Sequence, residues 1–384
     1  MLLFVLFCLV VTSILARWIL NRYNKQQLRD QLGIKGPPPN FFTGNLLQLI
    51  EFSKQVGLEN GHKIGMEYAK QYGNVMGLYF GPELEIVVTD LEIAKEIFIK
   101  QFSNFVDRRK VPFNAGPPLS ESLLVIGARG GMGGWKDVRS AVSPTFSSGK
   151  MKSMFSTVES TISIFMENMA EHAESGKSFD IYDEFQALTL DVIGKCAFAI
   201  DSNSLKNRDD PFYINCRKFF LESDMKRSWV IPIAFMFPEL EWLITKIRPW
   251  TAFGRAEQPL VEGLRAVLEE RKKNFNKAHN VDIIQLLLSN DEEHKSDTKK
   301  QPMTTETIVA NCYAFLLAGY ETTSTALAYT AWLLAKHTDE QRKLQEEIDE
   351  VLGDREMKYD DINKLPYLDA VFHESLRMYP PVIV

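Results

Sequence analysis

Apolar residues run without a break from Leu2 to Ala16, apart from Thr12 and Ser13, and resume after Arg17 with Trp18, Ile19 and Leu20. About 19 residues at about 1.5 Å each reach roughly 28 Å, close to the hydrocarbon thickness of a bilayer, so the pattern predicts a spanning helix over residues 1–20. Two short β-type runs follow, Val75 to Phe80 and Glu85 to Thr89, around Gly81-Pro82-Glu83, which predicts a hairpin. Asp90 then stands where an N-cap precedes a helix over Leu91 to Lys100. From about Ser147 the apolar spacing turns helical. It predicts helices over Met151–Glu171, Phe185–Phe198, Glu257–Asn274, Thr305–His337, Asp339–Leu352 and Tyr367–Met378. The polar, charge-mixed stretches Asp201–Asp210 and Asn290–Gln301 lack that periodicity and predict solvated loops. The fold class is therefore mainly α with a small β part.

Arg17, Arg22, Lys25, Arg29 and Lys35 follow the apolar run against one acid, Asp30, and nothing basic but the amino terminus precedes it. By the positive-inside rule the body of the chain faces the cytosol. A cleaved signal peptide would need a basic leader and a small-x-small site before a polar start; neither is present, so a retained anchor is expected. Residues 21–39 form a basic flank and a stiff, helix-excluding joint at Gly36-Pro37-Pro38-Pro39. No long flexible linker follows Pro39, which predicts one large domain over residues 40–384.

The 384 residues are 45% hydrophobic and 24% charged, which excludes a disordered chain. A formal charge of -6 gives no positive field for a polyanion, so nucleic acid is not an expected partner. Cys8, Cys196, Cys216 and Cys312 are widely scattered and make no disulfide framework. His62, His172, His279, His294, His337 and His373 show no metal-ligand spacing, so no metal is assigned to them.

Gly127, Gly130, Gly131, Gly133 and Gly134 invite a phosphate-loop reading. Lys136 is followed by Asp137 rather than Ser or Thr, and no glycine spacing fits G-x-G-x-x-G, so nucleotide binding is rejected there. Trp135 and Arg139, at i and i+4, share a helix face and could together hold a carboxylate; a core Trp beside a surface Arg explains the pair equally. His373-Glu374-Ser375-Leu376-Arg377 starts like H-E-x-x-H but lacks the second imidazole, leaving Glu374 and Arg377 as an i, i+3 ion pair. Ala310 to Ala335 is apolar almost all round, which predicts a buried central helix covered on every side. Ala318, Gly319, Glu321, Thr322 and Thr323 sit in its middle. They fit a flat ligand lying on Ala318 and Gly319, with Thr322 bonding a water or ligand oxygen and Glu321 relaying protons. The plainer alternative is that the threonines bond back to carbonyls one turn earlier and Glu321 pairs with a surface cation.

Taken in order, these pieces resemble the cytochrome P450 family. Gly36 to Pro39 is similar to the proline-rich hinge after a microsomal anchor, and Trp135 to Arg139, with Phe146 after it, to W-x-x-x-R and its downstream Phe. Ala318-Gly319-Tyr320-Glu321-Thr322-Thr323 is similar to [AG]-G-x-[DE]-T-[TS], and Glu374 to Arg377 to E-x-x-R. Phe102 to Arg109 and Ala318 to Ser324 look most like the animal branch that includes thromboxane synthase. The resemblance implies the family's mainly helical fold behind an amino-terminal anchor, at the endoplasmic reticulum membrane with the body cytosolic. It implies a monooxygenase that inserts one oxygen atom of O₂ into an apolar small molecule. The cofactor is haem b, and electrons come from NADPH through a membrane reductase, with cytochrome b5 as a second donor. By matching position, Trp135 and Arg139 would bind a haem propionate with help from Arg108, and Ala318 would face haem and substrate. Thr322 with Glu321 would deliver protons during oxygen activation, and Glu374 with Arg377 would be a buried structural pair.

The family's axial thiolate belongs to an F-x-x-G-x-R-x-C-x-G loop after E-x-x-R. The chain given ends at Val384, Cys312 lies in the oxygen-activation helix, and none of the four cysteines matches the ligand. The expectation is a P450 fold incomplete at its carboxy terminus. Its alternative function is that of a catalytically inactive family member, a membrane-anchored binding remnant, because the axial thiolate drives O–O cleavage.

Overall fold

The apolar run at the amino terminus becomes the first part of one continuous helix, α1 (Leu2–Gln31), long and apolar enough to cross a membrane. The computed structural model of the protein describes residues 1–57, 60–61, 63–108, 116–128, 134–224, 230–274, 282–296 and 303–382, with backbone alone for 290–296. They divide into two compact units, residues 1–116 with 225–248, and residues 117–224 with 249–383.

In the first unit, α1 runs past the predicted anchor boundary because its second half has a polar stripe to bury. Arg22, Gln26 and Arg29, spaced at i, i+4 and i+7, share one face, and all three are buried. Arg22 Nε donates to the Phe41 carbonyl at 2.7 Å, and Nη2 donates to Met236 O at 2.6 Å and to Phe42 O. Gln26 Nε2 reaches Asn40 O at 3.0 Å, and Arg29 Nη1 reaches Pro37 O at 2.6 Å. The proline joint is held as well. Asn45 Nδ2 donates to Pro38 O at 3.1 Å while its Oδ1 accepts the Tyr79 N–H at 2.8 Å, and a Cβ on Gly36 would lie 2.1 Å from Gly77 O.

Helices α2 (Leu46–Val56) and α3 (Lys63–Tyr72) lead into the hairpin of β1 (Val75–Phe80) and β2 (Glu83–Val88), antiparallel with Val75 opposite Val88 and Phe80 opposite Glu83. The second strand starts two residues before its predicted start. Gly81 adopts φ +59°, which permits a two-residue connection, so Glu83 and Leu84 pair with Phe80 and Tyr79. Asp90 Oδ1 accepts from the N–H groups of Glu92 and Ile93, each at 3.0 Å, and caps α4 (Leu91–Lys95) as expected. The expected α-helix to Lys100 changes after Lys95 into a π turn over Glu96–Lys100, closed by Gln101 N–H on Glu96 O at 2.8 Å.

The second unit is helical: α5 (Trp135–Val142), α6 (Ser148–Ser175), α7 (Ile181–Phe198), α8 (Pro211–Ser223), and, after the first unit's α9 (Val230–Met236) and α10 (Glu241–Ile247), α11 (Ala252–Lys273), α12 (Ile283–Ser296), α13 (Thr305–Lys336), α14 (Thr338–Leu352) and α15 (Pro366–Met378). Its core gathers Leu190 and Phe198 of α7, Leu264 and Leu268 of α11, Ile284 and Leu287 of α12, and Tyr313 and Leu316 of α13. Part of the predicted loop Asn290–Gln301 is helical, since α12 runs on to Ser296. A polar helix end and a polar loop have the same sequence pattern, and residues 297–301 lie outside the described residues. Asp201–Asp210 is a loop between α7 and α8, as predicted, but it is not solvated throughout: Ser202, Ser204 and Leu205 are buried because Asp191 draws them in.

Candidate functional site

The first half of α13 meets the expectation of burial, with Thr307 to Ala314, Leu316, Tyr320 and Ser324 enclosed. Burial on every side does not hold further along. Ala318 and Thr323 are exposed, Thr322 is half-buried, and Tyr329 and Trp332 remain 39% and 42% exposed. At i, i+4, i+7 and i+11, Phe315, Gly319, Thr322 and Ala326 track the axis, and the open strip lies along Ala318, Thr322, Tyr329 and Trp332.

Each residue of the central motif has a definite place. Thr322 Oγ1 donates to Ala318 O at 2.5 Å, the back-bond of a helical threonine. Gly319 does not lie beside Ala318 on a ligand face. A Cβ built there would stand 3.0 Å from Ile193 Cδ1, so the missing side chain lets α7 close on α13. Thr189 Oγ1 of α7 donates to Tyr320 O at 3.0 Å. The Glu321 carboxylate accepts the Tyr182 hydroxyl on one oxygen and Gln186 Nε2 at 3.1 Å on the other, both from α7. A surface cation is therefore not its partner, and among the described residues no hydrogen bond joins Glu321 to the Thr322 hydroxyl. Burial, reinforced by the Glu321 hydrogen bond, pushes the Tyr182 phenol well above its ordinary range, so it remains a proton donor. Tyr182, Gln186 and Ile193 carry no sequence signal for this role, since they precede the motif by more than a hundred residues and read as ordinary helix positions.

Helix α5 starts at Gly134, whose φ of +97° brings a hypothetical Cβ within 2.4 Å of Ala128 O; only glycine allows the chain to close there. That closure, with Trp135 N–H on Gly127 O at 3.1 Å, gives two of the five clustered glycines a structural task. Gly130, Gly131 and Gly133 lie outside the described residues, as do Phe113 and Arg109. Trp135 is half-buried against the core and Arg139 is exposed, one turn on. Among the described residues Arg139 makes no ion pair. Arg108 belongs to the first unit and is exposed in an irregular segment.

Glu374 and Arg377 form a bidentate pair, Nε to Oε2 and Nη2 to Oε1, each at 2.7 Å. The expected burial of this pair is corrected by side-chain exposures of 59% and 67%. Spacing at i, i+3 satisfies both groups locally on α15, so the pair forms without cover.

Cys312 and Cys216 are buried, and burial drives both thiols far above their ordinary range; Cys196 is pushed up to about 11 for the same reason. Cys8 is exposed on the apolar part of α1. Maleimide at neutral pH is therefore expected to leave Cys196, Cys216 and Cys312 unlabelled in the folded protein and to modify all three after unfolding; mass spectrometry of the peptides reads the difference. Labelling of Cys312 in the folded state would contradict its enclosure.

No group of three His, Cys, Asp or Glu side chains able to hold a metal occurs among the described residues. His172 Nε2 lies 3.3 Å from Glu184 and its ring stacks on Phe179, and His373 Nδ1 lies 2.8 Å from Asp369 O. His62, His279 and the side chain of His294 lie outside the described residues. For a haem, the fit is divided. The open strip at Ala318, with Phe315 stacked edge-on with Phe146 at 5.2 Å, offers an apolar face, and Trp135 with Arg139 offers donors of the type a propionate needs. An axial thiolate is not offered by any of the four cysteines.

The family model for cytochrome P450 matches residues 34–384. The chain is 31% identical over 382 residues to cytochrome P450 3A12 of Canis lupus familiaris, covering 97% of this chain and 71% of the relative. It is 33% identical over 362 residues to cytochrome P450 3A6 of Oryctolagus cuniculus, covering 92% and 67%, and 33% identical over 368 residues to cytochrome P450 3A11 of Mus musculus, covering 94% and 69%.

Proposed function

The chain belongs to the cytochrome P450 family, and on that premise we propose that its α13 strip serves haem-dependent insertion of one oxygen atom of O₂ into an apolar small molecule. The family is one of haem monooxygenases supplied with electrons by a reductase. In this reading NADPH acts through a membrane reductase, cytochrome b5 is a second donor, and α1 anchors the protein in the endoplasmic reticulum with its body in the cytosol. Haem, when bound, supplies the redox chemistry of oxygen activation. The chain's own residues would do the rest: Arg139 would offset a propionate's charge, Trp135 would donate an N–H to it, and Ala318 would present a small apolar side chain to the cofactor. Thr322 and Glu321 hold and move protons, and Glu374 with Arg377 stiffens α15. The observation that carries the reading is that α13, enclosed over its first half, opens at Ala318 with Thr322 half-buried one turn on and an acid at the adjoining position.

A second reading, a family member without monooxygenase activity that keeps a membrane-bound binding role, is favoured by one observation. Of the three cysteines outside α1, Cys216 and Cys312 are buried and Cys196 half-buried in the helical core, and burial raises all three thiols. The two readings separate in one pair of experiments. The 384-residue chain, purified, reduced and exposed to carbon monoxide, is expected to give no thiolate-type absorption band, and a clear band would remove the second reading. The native protein in its source membranes is expected to give that band, with intact mass and carboxy-terminal peptide sequencing to identify the chain that carries it. Absence of the band there would overturn the monooxygenase proposal.

A further inference from the structure

Along the contact of α7 with α13, residues spaced by about one turn on α7 meet consecutive positions of the motif. Tyr182 and Gln186 reach Glu321, Thr189 reaches the Tyr320 carbonyl, and Ile193 fills the space left by Gly319. Tyr182 and Gln186 are an i, i+4 pair, so both donors leave α7 on one face. Each carboxylate oxygen of Glu321 receives one of them. The neighbouring Thr322 hydroxyl is committed to Ala318 O. The acid and the alcohol of the motif therefore stand side by side in sequence with separate partners.

We propose that Tyr182 and Gln186 are positioning residues that hold the Glu321 carboxylate on the α7 side of α13, and that release of this contact must precede proton exchange between Glu321 and Thr322. The inference rests on the reading of Glu321 and Thr322 as the proton-handling pair and adds its regulation. Gly319 adjoins the contact, because a Cβ there would stand 3.0 Å from Ile193 Cδ1 and the Ile193 side chain would have to give way. Burial and the Glu321 hydrogen bond hold the Tyr182 phenol far above its ordinary range, so it stays the donor of this contact.

The contact is tested on the full 384-residue chain in detergent micelles with Tyr182→Phe, Glu321→Gln and the double variant. Groups sharing a hydrogen-bond network are non-additive, so the double variant is expected to unfold with an equilibrium constant about fivefold or more away from the product of the single effects. Additivity would overturn the proposal. The infrared carboxylate band that disappears in Glu321→Gln is expected to move in Tyr182→Phe, and an unmoved band would overturn it even if a variant folds poorly. In source-cell membranes with NADPH, Tyr182→Phe and Glu321→Gln are both expected to change the shape of the pH profile of turnover. A profile that is only scaled down would make the contact structural and overturn the positioning role. No turnover by the unaltered protein would overturn the proposed function and its proton step, while the first two measurements still report the contact, so the two failures are distinguishable.

Discussion

Replacing Arg22 with alanine is expected to lower the stability of the first unit by about 3 kcal/mol, the low end of the range for removing one partner of a buried charged pair. The guanidinium is fully buried, whereas its ion-pair partner Glu239, at 3.1 Å, keeps 28% of its side-chain surface, which argues for the low end. The carbonyls of Phe41, Phe42 and Met236 all lose a donor, although Phe41 O keeps Gln26 Nε2 at 3.2 Å and Phe42 is exposed, which again argues for the low end. Trp18, Phe41 and Phe237 lose a cation 5.2 to 5.9 Å from their ring centres. Hydrogen exchange in micelles checks the result: protection should fall together around residues 40–45 and 230–240. Lysine at the same position keeps the charge without the planar fork and should recover only part of the loss. Unchanged protection in Arg22→Ala would mean that α1 is not fastened by this residue. The consequence reaches the whole helix, because its first part is the stretch long and apolar enough to cross a membrane. Residues 22–31 act as a docked extension of that stretch rather than a loose tether.

Arg22 also marks where the sequence stops being legible. Five basic residues after an apolar run read as a solvated, orientation-setting flank, yet Arg22 and Arg29 are buried inside the first unit. The positive-inside argument then rests on Arg17, Lys25 and Lys35. A buried arginine and an exposed one differ only in what the chain places around them, and the carbonyls that accept from Arg22 come from residues 19, 20 and 214 positions away. Helical periodicity, by contrast, depends on neighbours three and four residues apart, which is why α6, α7, α13, α14 and α15 fall within a few residues of their predicted spans. The Asp90 cap was readable for the same reason. Glu321 lies between these cases. Its residue type and position marked it as a group needing a partner in a buried helix, but Tyr182 is 139 residues upstream and nothing local names it. Gly319 invited a ligand on its open side; the helix α7 occupies that space instead.

Replacing Asp191 with alanine is expected to cost about 3 kcal/mol, without moving the Glu321 infrared band. Asp191 is 2% exposed, and its carboxylate gathers the loop between α7 and α8: Oδ1 accepts from Ser202 Oγ at 2.8 Å and Ser204 N–H at 2.9 Å, and Oδ2 from Leu205 N–H at 3.0 Å. Without it, two buried backbone donors have no acceptor, and a buried unsatisfied donor costs about 1–3 kcal/mol. Leu205, 5% exposed, would leave the core as the loop opens, although Asn168 still holds its carbonyl at 2.9 Å. Asparagine can accept with one atom only and turns an amide N–H₂ toward a backbone N–H, so Asp191→Asn should recover little. Denaturant titration of both variants checks the magnitude. On α7, Asp191 turns toward this loop, while Tyr182, Gln186, Thr189 and Ile193 meet α13. A variant that loosens the loop should therefore lower stability and leave the carboxylate of Glu321 on its two donors. If Asp191→Ala moved the Glu321 band as Tyr182→Phe does, α7 would be transmitting strain along its length, and the position of the acid would depend on the whole helix rather than on Tyr182 and Gln186.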